Sequence, residues 1–149
     1  ILPDLSHTSD RSFWDILKLA EGPVVASHSN CRALCDVRRN LTDEQLRAIR
    51  DTGGVIGVNV YHGFVHAEPR MQTAAMLARH AAHIAETIGP EHVACGFDFC
   101  EYFGPGNEGC EGMESCAQTG NFFFELERLG FSAAERQGIA SENLLRVLE

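Results

Sequence analysis

The sequence contains no run long enough to cross a membrane as a helix. No stretch approaches the roughly eighteen consecutive apolar residues a spanning helix needs, and no basic region leads into an apolar core at the N-terminus. Clustered positive charge is missing too. Twelve Lys and Arg are scattered among 149 residues against 21 Asp and Glu, for a formal net charge of −9. A phosphate-binding surface needs basic residues gathered on one face, so nucleic acid is not an expected partner. No Gly-x-Gly-x-x-Gly fingerprint or P-loop follows any predicted strand, which removes support for a nucleotide site. No Cys-x-x-Cys occurs among Cys31, Cys35, Cys95, Cys100, Cys110 and Cys116. A core-rich chain of this size needs no disulfide staples, so reduced thiols are expected, as in a cytoplasmic protein. Cys110 and Cys116, in a polar Gly-rich loop, are the expected exceptions. The chain also opens on Ile1 without Met, and Ile1-Leu2 can already belong to a strand; a processed or partial chain is expected.

What is present is a strand-helix rhythm. Residues 1–6 read as a strand, followed by a helix over about 12–21 that opens on Ser12 and stops at Gly22-Pro23. VVAS at 24–27 is a second strand. A capping box formed by Thr42 and Gln45 starts the next helix, which ends at Gly53-Gly54. GVIGVNVY at 54–61 reads as a third strand, apolar on both faces. The spacing of Leu77, Ala81, Ile84 and Ile88 predicts one buried stripe on a long helix over about 70–88. VACGFDF at 93–99 is a fourth strand. After a long loop, Phe122 to Phe124 read as helix packing, and a capping box at Ser132 and Glu135 begins a helical tail to Leu148.

Strands alternating with helices imply a parallel sheet, since parallel neighbours need a crossover of about a dozen residues or more. Four such units make either an open four-stranded sheet or half of an eight-unit barrel. Half a barrel leaves raw strand edges, which favours a fragment of something larger. The residues at the strand C-termini, His7, His28, Tyr61 and Asp98, stand where (β/α) folds carry their chemistry.

DLSH and ASHSN each end a strand on a histidine, at His7 and His28. Two neutral imidazoles suit Zn²⁺ or a similar divalent ion, and Asp98 can ligate or handle a proton. Together they outline metal-assisted hydrolysis, although each His alone also fits a loop hydrogen-bonding role. A guanidinium of Arg38-Arg39-Asn40 can fork onto a substrate carboxylate beside a metal, or the pair can be a solvated basic turn. His80 and His83, three apart on a helix, face away from the strand ends. His62 can brush the site, while His66 and His92 read as loop residues.

In order, DLSH, ASHSN, RRNLTDEQL, GGVIGVNVY, HVACGFDF and ENLLRVLE resemble the membrane (renal) dipeptidase family of zinc metallopeptidases, over nearly all 149 residues. The resemblance implies a (β/α)8 TIM-type barrel, of which residues 1–149 would be the C-terminal half of a single domain: four strand-helix units plus C-terminal helices. It implies a dipeptidase with two divalent ions, Zn by family habit, and a bridging water as nucleophile. By the same resemblance His7 and His28 would ligate the second metal. Asp98 would shuttle the water's proton to the leaving amine, and Arg39 would hold the substrate's terminal carboxylate. The family's His-x-Asp pair and bridging Glu have no counterpart here, so the remaining N-terminal half of the same protein is an implied partner beside the dipeptide substrate. A homodimer is compatible. The family's Asp-Phe-Asp-Gly reads Asp98-Phe99-Cys100-Glu101, so catalysis carries onto Asp98 alone. Rival expectations are a related hydrolase acting on acylated or cyclic amino acids, and a catalytically silent relative or fragment.

Overall fold

A computed structural model describes all 149 residues. Helix starts follow capping chemistry. The first helix, α1, spans Asp10–Leu19. It begins earlier than its sequence suggested, because the Ser9 hydroxyl, not that of Ser12, accepts the free N–H, from Ser12 itself. Both expected capping boxes form. Thr42 and Gln45 open α2, Asp43–Asp51, and Ser132 and Glu135 open α6, Ala133–Gln137. A four-residue α3, His62–Val65, follows the second strand. The predicted long helix is α4, Ala74–Ile88, capped by Thr73; Pro69–Met71 forms a separate 3-10 turn before it. Gly89 ends α4 at φ 103°, a conformation open to glycine at little cost. The tail holds α5, Thr119–Arg128, then α6, a π-helical turn at Gly138–Glu142, and α7, Asn143–Leu148.

Between these lie β1, Val25–Ala26, β2, Val55–Val58, and β3, Val93–Cys95, in a parallel sheet of order β1-β2-β3. The expected first strand is reduced. Residues 3–5 join β1 through a single parallel bridge, Asp4 to Val25, with Leu5 N–H donating to Val25 O at 2.7 Å and Val25 N–H to Pro3 O at 3.0 Å. Two local causes shorten it: Pro3 has no N–H to give a ladder, and His7 turns the chain away with φ 65°. Three strands and a bridge therefore stand where four full strands were expected.

The sheet's helix-facing side holds the main core. Ile56, Val58 and Val93 meet Leu46 and Ile49 of α2, and Phe122 and Leu126 of α5 complete it. The predicted stripe Leu77, Ala81, Ile84 and Ile88 on α4 is buried throughout. Burying each large aliphatic chain contributes about 1.5–3 kcal/mol, so this layer fixes where the strands end. Phe122 is fully buried, whereas Phe124 is exposed; only part of that aromatic run packs. The opposite side is small: Val25, Val55 and Ala94, backed by Leu2 and Val147. It curls tightly. A Cβ at Gly57 or at Gly96 would overlap the Ser27 carbonyl oxygen, so backbone there lies directly against backbone.

Candidate active site

The register explains why two strands end on histidine side by side. Asp4 pairs with Val25, and three residues further along each parallel segment lie His7 and His28. Their Nε2 atoms meet at 2.9 Å, with ring centroids 5.0 Å apart. Asp98 completes the group, its Oδ2 lying 3.9 Å from His28 Nε2. His7 and Asp98 hold φ of 65° and 58° and are the two non-glycine residues with positive φ. Such backbone persists only where surrounding contacts impose it, and it concentrates at functional sites.

Asn59, just past β2, positions Asp98. Its Nδ2 donates to Asp98 Oδ2 at 3.2 Å, and its Oδ1 accepts from Tyr61 N–H at 2.7 Å. Asn59 is wholly buried and locked to Asn30: its N–H donates to Asn30 Oδ1, and Asn30 Nδ2 donates to its carbonyl, both at 2.9 Å. Asn59 lies in the one polar position of GVIGVNVY. A polar side chain inside an otherwise apolar strand was the available signal, and sequence reasoning passed over it.

Arg39 is half-buried and held by two donated bonds, Nη1 to Ser29 Oγ at 2.8 Å and Nη2 to the His28 carbonyl at 2.9 Å. Its Cζ stands 5.6 Å from the Phe64 ring centroid, and its buried Nε has no partner. Arg38 is exposed. The guanidinium is thus fixed beside the histidine pair rather than dissolved in a basic turn. Burial, with Arg39 close by, pushes His28 below its ordinary value, so its imidazole is neutral at neutral pH.

Asp4 and Ser27, also missed by sequence reasoning, back the pair. Ser27 Oγ lies 2.6 Å from His28 Nδ1 and donates to Asp4 Oδ2. Beyond Asp98, a cleft of about 300 Å³ is lined by Val60, Tyr61, Phe64, Phe103 and Glu108.

The remaining histidines serve the fold. His80 is buried, accepting from Cys31 N–H through Nδ1 at 3.0 Å and donating to Val65 O from Nε2 at 2.8 Å. His83 pairs with Asp43 at 2.7 Å, and His92 donates to Gly54 O. His66 accepts from Glu68 N–H, and His62 stacks beside Tyr61. All six cysteines are free thiols, Cys110 and Cys116 included.

The model of one protein family, described as membrane dipeptidase (peptidase family M19), matches residues 1–149. The chain belongs to the membrane dipeptidase family. Dipeptidase ataJ of Aspergillus terreus is 34% identical over 147 residues, which are 98% of this chain and 35% of that protein. An uncharacterized protein in the pqqA 5' region of Klebsiella pneumoniae is 48% identical over 99 residues, 64% of this chain and 36% of that one. A crystal structure of a metallo peptidase from Rhodobacter sphaeroides, liganded with a phosphinate mimic of the dipeptide L-Ala-D-Ala, superposes with a TM-score of 0.85 at 30% identity. The match covers 97% of this chain and 41% of that one. The chain thus spans about a third of the length of the curated relatives it matches.

A membrane dipeptidase implies a metal, and the donors present suit part of a site. Two ligand nitrogens on one tetrahedral zinc lie about 3.3 Å apart, given Zn–N bonds of about 2.0–2.1 Å. The His7 and His28 nitrogens, at 2.9 Å, need only a slight opening to meet that spacing. The chain gathers no group of three or more His, Cys, Asp or Glu that could hold a metal alone. The donors it does bring together are the His7 and His28 pair.

Proposed function

We propose that residues 1–149 form the C-terminal half of a (β/α)8 barrel whose complete site hydrolyses dipeptides with divalent metal ions, zinc by family habit. The observation that carries this reading is the convergence of His7 Nε2, His28 Nε2 and Asp98 Oδ2 at one end of a parallel sheet. The tight curl at Gly57 and Gly96 suits a barrel wall, and the mimic-bound metallo peptidase supplies the dipeptide class.

His7 and His28 would hold one of two ions, the other ligands coming from the N-terminal half. Bound metal supplies activation of water and polarisation of the scissile carbonyl. Arg39 receives the substrate's C-terminal carboxylate, a group its planar guanidinium matches in geometry and charge. That grip sets the amide one residue from the carboxylate and restricts the substrate to dipeptides. Asp98, steadied by Asn59, accepts the proton of the attacking water and returns it to the amide nitrogen. The C–N bond then breaks and a neutral amine leaves.

The test is metal content and substrate class together. The complete protein is expected to bind close to two zinc ions per chain and to release free amino acids from dipeptides. N-acylated and cyclic amino acids should react far more slowly. Preference for the acylated compounds would move the assignment to another amide hydrolase. A metal-free, inactive complete protein would overturn it.

A further inference from the structure

The hydrogen bonds behind His28 have a direction that the chemistry of each group fixes. Asp4 is an acceptor at both oxygens. Its Oδ1 takes the backbone N–H of Ser6 and of Ser27, each at 3.0 Å, and Oδ2 takes the Ser27 hydroxyl. A carboxylate has no proton to give, so the single hydroxyl proton of Ser27 points toward Asp4. Having donated it, Ser27 Oγ can only accept from His28 Nδ1, 2.6 Å away. The proton of neutral His28 therefore sits on Nδ1. Its lone pair sits on Nε2, the atom that faces His7.

We propose that Asp4 and Ser27 act as a relay that positions His28, fixing the Nδ1–H tautomer so that Nε2 is always open to the metal; this rests on the metal-site reading above. Metal-ligating imidazoles gain basicity and orientation when their other nitrogen donates to a carboxylate or its surrogate. Here the hydroxyl of Ser27 carries that influence from a carboxylate on the neighbouring segment. Asp4 is itself kept ionised: burial works against its charge, but the bonds from Ser27 and Ser6 outweigh it and hold the carboxyl below its usual range.

A purely structural clamp between residues 3–5 and β1 would use the same atoms, and Asp4→Asn separates the two roles. The amide oxygen still accepts the two backbone N–H groups. Its NH₂, however, now donates to Ser27 Oγ, the hydroxyl proton turns to His28 Nδ1, and the ring proton moves to Nε2. Two-bond ¹H–¹⁵N correlation of the His28 ring in the metal-free complete protein, at a pH where the ring is neutral, should show Nδ1–H in the parent and Nε2–H in Asp4→Asn. Zinc affinity, read by chelator competition, should fall by about 10–100-fold at the ion held by His7 and His28. Ser27→Ala should weaken zinc to a similar extent, and Ser27→Thr, which keeps the hydroxyl, should restore it. An unchanged tautomer in Asp4→Asn, or zinc affinities within about twofold of the parent in both Asp4→Asn and Ser27→Ala, would overturn the relay. If the parent takes up no zinc, the dipeptidase reading fails, while the ring spectra still decide the relay.

Discussion

His7 and Asp98, 91 positions apart in the chain, share a backbone conformation that no other non-glycine residue adopts, with φ of 65° and 58°. Left-handed backbone costs a residue with a Cβ about 1–2 kcal/mol, somewhat less for aspartate. Strain at the two side chains that flank His28 is a stability cost retained at the proposed catalytic centre. Glycine at position 7 should relieve it. His7→Gly is expected to raise the unfolding free energy by up to about 1 kcal/mol in urea titrations while abolishing zinc-dependent dipeptide hydrolysis. His7→Ala loses the same contact to His28, so a His7→Gly protein no more stable than His7→Ala would show that the conformation carries no strain.

Arg39 and Asp98 should fail in different ways when changed. On the proposed reading Arg39 binds a group present in both ground state and transition state, so Arg39→Ala should raise KM for free-carboxylate dipeptides by about 10–100-fold with a smaller change in kcat. Asp98, on the same proposal, handles a proton that moves only during reaction. Asp98→Asn keeps the shape and should lower kcat by about 10²–10⁴-fold with little effect on KM. Steady-state kinetics on one dipeptide distinguish the two, and equal small effects would remove both assignments.

How far the site was legible depends on what kind of feature each residue is. His7 and His28 were readable because each closes an apolar run, and the Asp4–Val25 bridge then places them level with one another. Asp98 followed from the same logic of strand ends. The residues alone leave Arg38 and Arg39 equivalent, and the family resemblance points to Arg39; that Arg39 is the less exposed of the two depends on how the 29–40 loop lies over Phe64, which local pattern does not encode. Asp4, Ser27 and Asn59 are small polar residues whose roles exist only through cross-strand hydrogen bonds, and local pattern does not encode those partners. The helices were legible through caps and periodicity, and α1 slipped because Ser9 and Ser12 are equally good caps. The first strand is shorter than its apolar residues suggest because Pro3 offers no N–H to a ladder and His7 turns the chain away.

Asn59 links fold and chemistry, and its removal should register in both. Asn59→Ala deprives Tyr61 N–H of its acceptor, leaves Asp98 Oδ2 without its donor and opens a small void. An unsatisfied buried polar group costs about 1–3 kcal/mol, so a loss of that size is expected in urea unfolding. Asp98 would also sample more orientations. Turnover should therefore fall by about tenfold or more even at temperatures where the variant is fully folded. A variant that loses stability but keeps its kcat would reduce Asn59 to a structural role.

His80 predicts how the fold responds to acid. Burial lowers its pKa from the ordinary 6.5 to about 4, outweighing the bond that Nε2–H donates to Val65 O, which favours the protonated ring; Nδ1 accepts from Cys31 N–H. Above pH 6.5 neither folded nor unfolded His80 carries a proton, and the residue adds no pH dependence. Between about 6.5 and 4 the unfolded chain takes up a proton that the folded chain refuses, so stability falls as pH falls. Over that window the loss amounts to at most about 3.5 kcal/mol, at roughly 1.4 kcal/mol per pKa unit. Below about 4 the folded state protonates too and the contribution levels off. His80→Gln keeps one acceptor and one donor without a titrating ring. Urea unfolding measured from pH 7.5 to 4.5 should therefore show a shallower acid decline for His80→Gln than for the parent. Parallel curves would mean that His80 does not govern the acid response.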